Sequence, residues 1–598
     1  MVGLRPRLRE RTVSLRMLSL FALVLGILTG IAAAGLRGLI ALFHNLFFAG
    51  RLSFAYDANQ FTPPAPWGAW IILAPVIGGL VVVFLVRRYA PEAKGHGVPE
   101  VMDAIYYKRG RIRPIVVLIK SLASALSIGS GASVGREGPI IQIGSAIGSV
   151  FGQWLRLSTW QVITLVAAGA GAGIAATFNT PLGGVMFAVE LMLPEISART
   201  FLPVVLATGT ATYVGRMLFG IAPAFTVPAA DLADIVLPTN LWLLPVYVVL
   251  GILCGLAAFA FVRLLHGLED LLEGRIRNAY LRAIVGLGSI GVMMWLLMET
   301  TGHYHVDGVG YGTIQAILLG RLDGVGLLFL LFVAKLLATT LSLASGASGG
   351  VFAPSLFLGA ALGGAFGSLL DTFAPGFGFT AAQFAIIGMA AVVGGGTGAA
   401  MTAILMMFEM TTDYSVILPA IIAVACAIGT RRALIGENIY TFKLMRRGHH
   451  IPKDRHSNMF LVRHVREVMC PIAGSIQVHG GFEDPQVTLE PEGPMGEEGY
   501  LLLLRGRHVS GVMEAREYRH WLVLREEGVH EPPPVIRHFL LVREGALLVD
   551  VLRRMSRHGI THALVVARDH RVPHAGDVRG VISEHEVAQQ VLEQFRDS

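Results

Sequence analysis

Charged residues are scarce in this chain. They make up 15% of its 598 residues, whereas an average soluble domain carries about 25%. Hydrophobic residues make up 54%, and the shortage of charge extends over residues 15–430 rather than over one short segment. The apolar runs 17–48 and 67–86 are each long enough to cross roughly 30 Å of hydrocarbon. This composition excludes an ordinary soluble domain and predicts a polytopic membrane protein.

Cysteine is also rare, since the chain contains only Cys254, Cys426 and Cys470. Two lie in apolar segments and one in the tail, a pattern that indicates neither a disulfide framework nor a cysteine-rich metal site. Three histidines follow the membrane part, but their spacing is typical of no metal site: His449, His450 and His456. We therefore expect no bound metal. The tail shows no nucleophile–base set, which argues against an enzyme.

Lysine and arginine are missing from the stretches 221–240, 301–313 and 371–380. The formal charge of +7 comes largely from basic clusters at the ends of apolar runs. The clusters are Arg5, Arg7, Arg9, Arg11 and Arg16; Lys108, Arg109, Arg111 and Arg113; and Arg431, Arg432, Lys443, Arg446 and Arg447. Because basic residues accumulate on the cytoplasmic side, both termini are predicted to be cytoplasmic, in a bacterial inner membrane. Nucleic-acid binding is disfavoured because the basic residues lie at the ends of membrane segments.

Residues 1–448 are predicted to form the membrane part. The first apolar run is too long for a cleavable signal peptide and continues into further membrane segments. Several later runs are shorter than the roughly 20 residues that one crossing needs. Broken or re-entrant helices are therefore expected, with their unwound ends buried in protein. The 71 glycines suit close packing of such helices.

A ten-residue motif occurs twice in this part. It reads Ser-Gly-Ala-Ser-Val-Gly-Arg-Glu-Gly-Pro at 130–139 and Ser-Gly-Ala-Ser-Gly-Gly-Val-Phe-Ala-Pro at 345–354. Each copy precedes an apolar helical run, and a glutamate follows each run, Glu190 and Glu409. Glycines and small hydroxyl residues before a helix direct its N-terminus at an anion. Paired interrupted segments indicate a binding site near the middle of the membrane, with an inverted repeat as the expected topology.

The composition changes after residue 448, and the tail, 449–598, is charged. Alternating patterns predict strands at 539–542, 562–566 and 578–582, and helices at 546–556 and 584–595. A poorer copy of the same arrangement precedes them. The tail is therefore divided into a first, degenerate unit at about 465–525 and a second unit at about 535–598.

Four segments together resemble the CLC family of chloride channels and proton/chloride antiporters. They are Gly95-His96-Gly97-Val98-Pro99, Gly135-Arg136-Glu137-Gly138-Pro139, Gly350-Val351-Phe352-Ala353-Pro354 and Tyr440. Their order fits the family over residues 15–448. The resemblance implies an all-α membrane fold, the CLC fold, with an inverted repeat of broken and tilted helices. It also implies a homodimer with one pore per subunit and a cytoplasmic α/β tail similar to a pair of CBS domains.

The resemblance implies that these segments bind chloride and similar anions, with no cofactor required. Glu137 is implied to be the gating glutamate, while Phe352 supplies a backbone N–H and Tyr440 a hydroxyl. Adenine-nucleotide binding is implied for the CBS-like tail. His96 departs from the family pattern, which has serine. Either its imidazole replaces the serine hydroxyl or backbone N–H groups coordinate the anion without it.

Leu191 stands where the family places its internal proton glutamate. Because leucine cannot relay a proton, the resemblance favours an anion channel gated by Glu137. A proton/chloride antiporter with a non-standard internal path stays the alternative. Glu190 and Glu195 are the candidate carriers for that path, and Glu409 is expected to be structural.

Overall fold

The computed structural model describes residues 11–227, 243–375, 379–451, 463–482, 484, 487–529, 531–567 and 573–589. The chain divides into two compact units, Met1–Ile451 and Pro452–Ser598. Some predicted features lie outside the described residues: Arg5, Arg7, Arg9, His456 and the larger part of the stretch 221–240.

The first unit is built from helices. Their bounds are α1 Leu15–His44, α2 Leu73–Tyr89, α3 Val98–Tyr107, α4 Ile115–Gly129, α5 Glu137–Trp154, α6 Thr159–Phe178, α7 Pro181–Phe187, α8 Ala198–Phe219, α9 Leu244–Arg275, α10 Ala279–Thr301, α11 Tyr311–Leu318, α12 Val325–Ala344, α13 Phe352–Phe373, α14 Ala381–Thr397, α15 Ala400–Thr411, α16 Ile417–Leu434 and α17 Thr441–Arg446. Two π-helical segments, Asn45–Ala49 and Ala188–Met192, continue α1 and α7.

In the described part of the chain, nine helices are long and apolar enough to cross a membrane. Others are too short, such as α3 with 10 residues, α7 with 7 and α11 with 8. The outer helices expose large apolar side chains, with Leu20 and Ile31 each 54% exposed and Phe84 50% exposed. Such surfaces suit contact with lipid. The chain is an integral membrane protein, and the prediction of broken helices is confirmed.

Glycines let the inner helices pack closely. A Cβ atom on Gly144 in α5 would lie 2.2 Å from the backbone oxygen of Gly169 in α6. In the second half, a Cβ atom on Gly359 in α13 would lie 2.3 Å from the backbone oxygen of Gly388 in α14. These distances leave no room for a side chain, so both helix pairs depend on glycine for backbone-to-backbone contact.

The two halves of the first unit have an inverted relation, which is visible where the repeated motifs meet. The equivalent glycines Gly135 and Gly350 exchange two N–H···O hydrogen bonds, at 2.7 Å and 2.6 Å. Ser133 donates its backbone N–H to Ser342 Oγ at 3.0 Å. In the equivalent bond, Ser348 donates its backbone N–H to Ser127 Oγ, also at 3.0 Å. Reciprocal antiparallel pairing between equivalent residues is the pattern that a local twofold axis produces.

The second unit is a mixed α/β fold. Its bounds are β1 Ile472–His479, β2 Thr488–Pro491, β3 Tyr500–Arg505, β4 His508–Glu514, α18 Ala515–Glu526, β5 Leu540–Arg543, α19 Leu548–His558, β6 His562–Val566 and β7 Val578–Ser583. One sheet has the order β2-β1-β3-β4 and the other β5-β6-β7. In both, a parallel pair is followed by an antiparallel one. Leu502, Leu564 and Val581 belong to a core shared by the two sheets.

The two sheets differ in what joins their parallel strands. Helix α19 lies between β5 and β6, whereas strand β2 lies between β1 and β3. The strand predicted at 562–566 is confirmed. The helix predicted from Glu584 is described as far as Gln589, and the rest lies outside the described residues. The division of the tail into two CBS-like units stays a prediction.

Candidate functional site

Three segments, here called the first, second and third glycine-proline motifs, meet in the interior of the first unit. They are residues 95–99, 135–139 and 350–354. A Cβ atom on Gly138 would lie 2.3 Å from the backbone oxygen of His96 and 2.8 Å from Gly350 Cα. Gly97 has φ +81°, and a Cβ atom there would meet Gln142 Oε1 at 2.8 Å. The backbones of the first and third motifs thus press against the second. Glycine is required at these points by close approach and, at Gly97, by a left-handed backbone.

Each of these motifs ends at the start of a helix. Helix α3 begins at Val98, α5 at Glu137 and α13 at Phe352. Their described N-cap residues make no side-chain capping hydrogen bond; these are Gly97, Arg136 and Val351. The first N–H groups of three helices, together with their dipoles, therefore bring positive partial charge to one place. This arrangement attracts an anion without a full cationic charge.

Three buried polar atoms beside these helix starts have no hydrogen-bond partner among the described residues. They are Tyr440 Oη, His96 Nδ1 and Arg136 Nε. Tyr440 is 0% exposed and His96 3% exposed, and their ring centroids are 6.0 Å apart. Asn438 Oδ1 holds this turn by accepting the backbone N–H of Tyr440 at 2.9 Å. Buried polar atoms are normally paired, so an unpaired hydroxyl and an unpaired ring nitrogen at helix N-termini indicate a ligand position.

The Glu137 carboxylate reaches from its own helix to the N-terminus of α13. Glu137 is 0% exposed, and its Oε2 accepts the backbone N–H of Ala353 at 3.3 Å. Its Oε1 accepts the Tyr311 hydroxyl and lies 3.8 Å from Arg136 Nε. The carboxylate therefore takes a position at which a free anion would bind a helix N-terminus.

Tyr311 is a site residue that sequence reasoning missed. It begins α11 and is 2% exposed. Its ring lies between the Phe225 ring, with centroids 5.2 Å apart, and the Arg136 guanidinium, 5.2 Å from the Tyr311 centroid. A polar pocket adjoins the tyrosine and is lined in part by Tyr56, Thr62, His305 and Asp307. The available signal was a tyrosine between two glycines, Gly310 and Gly312, at the start of a short apolar run.

Two buried lysines support the loops before α3 and α11. Lys120 Nζ donates to the backbone oxygen of Gly95 at 2.6 Å, and Lys335 Nζ donates to that of Gly308 at 3.1 Å. Both lysines are 0% exposed. They occupy equivalent positions in the two halves, ten residues before each repeated motif begins. That repeated spacing of a lysine in an apolar helix was a signal that the sequence analysis did not use.

Glu190 and Glu409 bind helix N-termini of opposite halves. Glu190 Oε1 accepts the N–H of Met401 at 3.0 Å, and its Oε2 accepts the N–H of Thr402 at 2.8 Å. Glu409 accepts the N–H groups of Leu182 at 3.0 Å and of Gly183 at 2.7 Å. Each carboxylate satisfies N–H groups in the first turn of the partner helix. This geometry favours a structural role for both.

The candidate internal proton carriers are not assembled around Leu191. Leu191 is 2% exposed and lies in the π-helical segment Ala188–Met192. Glu195 follows that segment and is half-buried, and its backbone oxygen accepts the Thr200 hydroxyl at 3.1 Å. Glu190 is engaged with α15. Proton transfer through Glu190 or Glu195 stays a prediction.

Comparison with known proteins places this geometry in a family. The family model described as voltage gated chloride channel matches residues 78–432. The chain is 32% identical over 451 residues to the H(+)/Cl(-) exchange transporter ClcA of Salmonella arizonae, an alignment that covers 74% of this chain and 90% of the relative. The chain belongs to the CLC family. The ClcA of Salmonella newport matches it with the same identity and coverage.

Solved CLC structures agree with this placement. A slow cyanobacterial Cl-/H+ antiporter has a TM-score of 0.62 and 28% identity, covering 74% of this chain and 99% of that one. A eukaryotic CLC transporter, at 20% identity and a TM-score of 0.58, covers 96% of this chain and 98% of its own and supports the fold alone.

The comparisons change one expectation from the sequence. The ClcA relatives and the cyanobacterial protein are named exchangers or antiporters, whereas the absence of a glutamate at Leu191 favoured a channel. That preference is not supported. The absence of one carrier excludes only one proton path, so it does not decide between the two mechanisms. The antiporter alternative fits the comparisons better.

Proposed function

We propose that this protein exchanges chloride for protons across the membrane. The observation that carries the proposal is the Glu137 carboxylate, a buried titratable anion bound to the Ala353 N–H at the start of α13. Exchange requires a group that competes with the transported anion and also accepts a proton. A carboxylate in this position does both. The names of the ClcA relatives and of the cyanobacterial antiporter support the same function.

The groups around Glu137 suit a dehydrated chloride ion. The N-termini of α3, α5 and α13 supply N–H donors. Tyr440 Oη and, in the tautomer that carries its hydrogen, His96 Nδ1 are buried donors without another partner among the described residues. Lys120 donates to backbone oxygens of the loop before α3 rather than into this space. Binding through partial charges and hydrogen bonds is strong enough to strip water and weak enough to release the ion.

The proton acts on Glu137 by removing its charge. When ionised, the carboxylate holds the Ala353 N–H and excludes chloride from that position. When protonated, it is no longer an anion and competes poorly for the helix N-terminus, so chloride takes its place. Tyr311 and Arg136 stabilise the ionised form at this position through a hydrogen bond and a nearby positive charge. One group thereby links proton binding to chloride binding.

A flux measurement tests chloride transport. Proteoliposomes loaded with chloride and diluted into a low-chloride buffer should release chloride when the membrane potential is clamped with valinomycin and potassium. Empty liposomes should retain it. Retention by the proteoliposomes as well would contradict chloride transport by this chain.

His96 offers a prediction about binding. His96→Phe keeps an aromatic ring but removes the Nδ1 hydrogen bond, so chloride should bind about 10- to 150-fold more weakly, since a hydrogen bond to a charged partner is worth about 1.5–3 kcal/mol. His96→Ser restores a hydroxyl and should recover part of the affinity. Isothermal titration calorimetry of the purified protein measures both. Equal affinities in the wild type and both variants would show that backbone N–H groups bind the anion without the His96 side chain.

The remaining expectations from the family resemblance are part of the proposal. We infer a homodimer in the lipid bilayer with one anion path in each subunit, and N- and C-termini in the cytoplasm. For the tail, the parallel-then-antiparallel pattern of both sheets supports CBS-like units. Adenine nucleotide is the ligand that this resemblance implies.

A further inference from the structure

We propose that His266 and Glu269 form the internal proton path of this protein. The inference rests on the proposed exchange function and addresses the step for which Leu191 lacks the chemistry. Both residues lie near the end of α9, outside every motif that the sequence analysis identified.

His266 is a buried imidazole that faces the Glu269 carboxylate of the same helix. It is 3% exposed, and neither ring nitrogen has a hydrogen-bond partner among the described residues. Its ring stacks on Phe442, with centroids 4.8 Å apart. Phe442 is two residues from Tyr440, whose hydroxyl is also unpaired within the described residues. Burying an imidazole without close hydrogen bonds costs free energy, and the Glu269 carboxylate offsets part of that cost when the ring carries a proton.

Glu269 connects His266 to the protein surface. Its Oε2 lies 3.5 Å from His266 Nδ1, one helical turn along α9. The Glu269 side chain is 22% exposed, whereas that of His266 is 4% exposed. A carboxylate that reaches solvent and faces a buried imidazole is the arrangement that a proton relay needs.

The charged groups around this pair are of both signs. Glu269 and Glu100 carry negative charge, with Glu100 Oε1 3.5 Å from Lys443 Nζ and 2.8 Å from the Arg447 guanidinium. Lys443, His266, Lys120 and Arg447 all act electrostatically on His96. His266 therefore lies within electrostatic range of His96 in the first glycine-proline motif. It is also on the side of the membrane that carries the basic residues Lys443 and Arg447, which the charge distribution predicts to be cytoplasmic.

The proton would move in three transfers. The Glu269 carboxylate takes a proton from the cytoplasm and passes it to His266 Nδ1. The imidazolium then releases its Nε2 proton towards the anion site, and Glu137 accepts it. One proton has then crossed from solvent to the gate, and His266 is left as a neutral ring with its hydrogen on Nδ1. Rotation of the ring or proton exchange with water returns the hydrogen to Nε2 before the next cycle. No oxidant, metal or covalent step is needed.

Two variants and one matched control test this path. His266→Phe keeps an aromatic ring against Phe442, and Glu269→Gln keeps the size of the side chain. Asp270→Asn neutralises the next residue of α9, whose side chain is 58% exposed and paired with Arg446. Proton and chloride fluxes are measured in the same proteoliposomes made from the full chain. We expect His266→Phe to keep chloride flux and to lose proton flux by on the order of 100-fold, the usual contribution of a positioned acid–base group.

Glu269→Gln should reduce proton flux less, by about 10-fold, since water can deliver protons to His266 directly. Asp270→Asn should keep the wild-type ratio of protons to chloride. A wild-type ratio in both His266→Phe and Glu269→Gln would overturn the path, and so would an equal loss in Asp270→Asn. A wild-type protein that moves no protons would overturn the exchange function itself, which separates the two failures.

Discussion

Replacing Glu137 with alanine should abolish proton transport and leave a chloride flux that no longer depends on pH. In the wild type, protonation of the carboxylate frees the Ala353 N–H, so chloride flux should rise as the pH falls. Without a carboxyl group, the position is permanently open to chloride. Glu137→Gln should behave in the same way because the amide cannot titrate. Proton flux should fall by on the order of 100-fold or more in both variants.

The measurement is chloride and proton flux from proteoliposomes across a pH series. Glu409→Gln is a matched control, because Glu409 is also a carboxylate that accepts N–H groups at a helix N-terminus but lies outside the glycine-proline motifs. It should lower stability and keep the wild-type ratio of protons to chloride. Unchanged pH-dependent chloride flux in Glu137→Ala would contradict the assignment of Glu137 as the gate.

Gly138→Ala should disrupt the site and the fold around it. The added Cβ atom would lie 2.3 Å from the backbone oxygen of His96 and 2.8 Å from Gly350 Cα. Both neighbours are backbone atoms within paired motifs, so neither can rotate away. Overpacking in a tight core costs about 1–3 kcal/mol, and contact with backbone on two sides should place this variant at or above that range. We expect low yield, a lower melting temperature in detergent and loss of chloride binding.

Gly396→Ala is the control for this substitution. Gly396 is a buried glycine of α14 in the same unit, but a Cβ atom there would meet nothing within 4 Å. Its melting temperature and transport should equal those of the wild type. If Gly138→Ala were as stable and as active as Gly396→Ala, the close convergence of the motifs at Gly138 would be wrong.

The sequence predicted the membrane fold well because the features that determine it are local. Long apolar runs, short interrupted runs and the two copies of the motif fix the helices and the inverted repeat. In the tail, the strand at His562–Val566 has the predicted bounds. Helix α19, Leu548–His558, begins and ends two residues after the predicted 546–556. Period-2 and period-3.6 patterns carry this information within a few residues of each position.

The site was predicted only where a motif marks it. The glycine-proline segments and Tyr440 were predicted from motifs, but Tyr311 and His266 were not, because only contacts across the fold make them candidates. The Tyr311 hydroxyl donates to Glu137, which lies 174 positions earlier in the sequence. The His266 ring stacks on Phe442, which belongs to another helix. The preference for a channel had the same origin. It rested on one position, Leu191, and took no account of the His266–Glu269 pair, which folding brings against Phe442.

One measurement tests the central claim most directly, namely that chloride movement is coupled to proton movement. Purified protein in liposomes is given an outward chloride gradient with no initial pH gradient, and the external pH is followed while the membrane potential is clamped at zero. We expect chloride leaving the liposomes to drive protons inward, so the external pH should rise. This pH change should collapse when a protonophore is added. Chloride efflux without any change in external pH would contradict exchange and identify the protein as a channel.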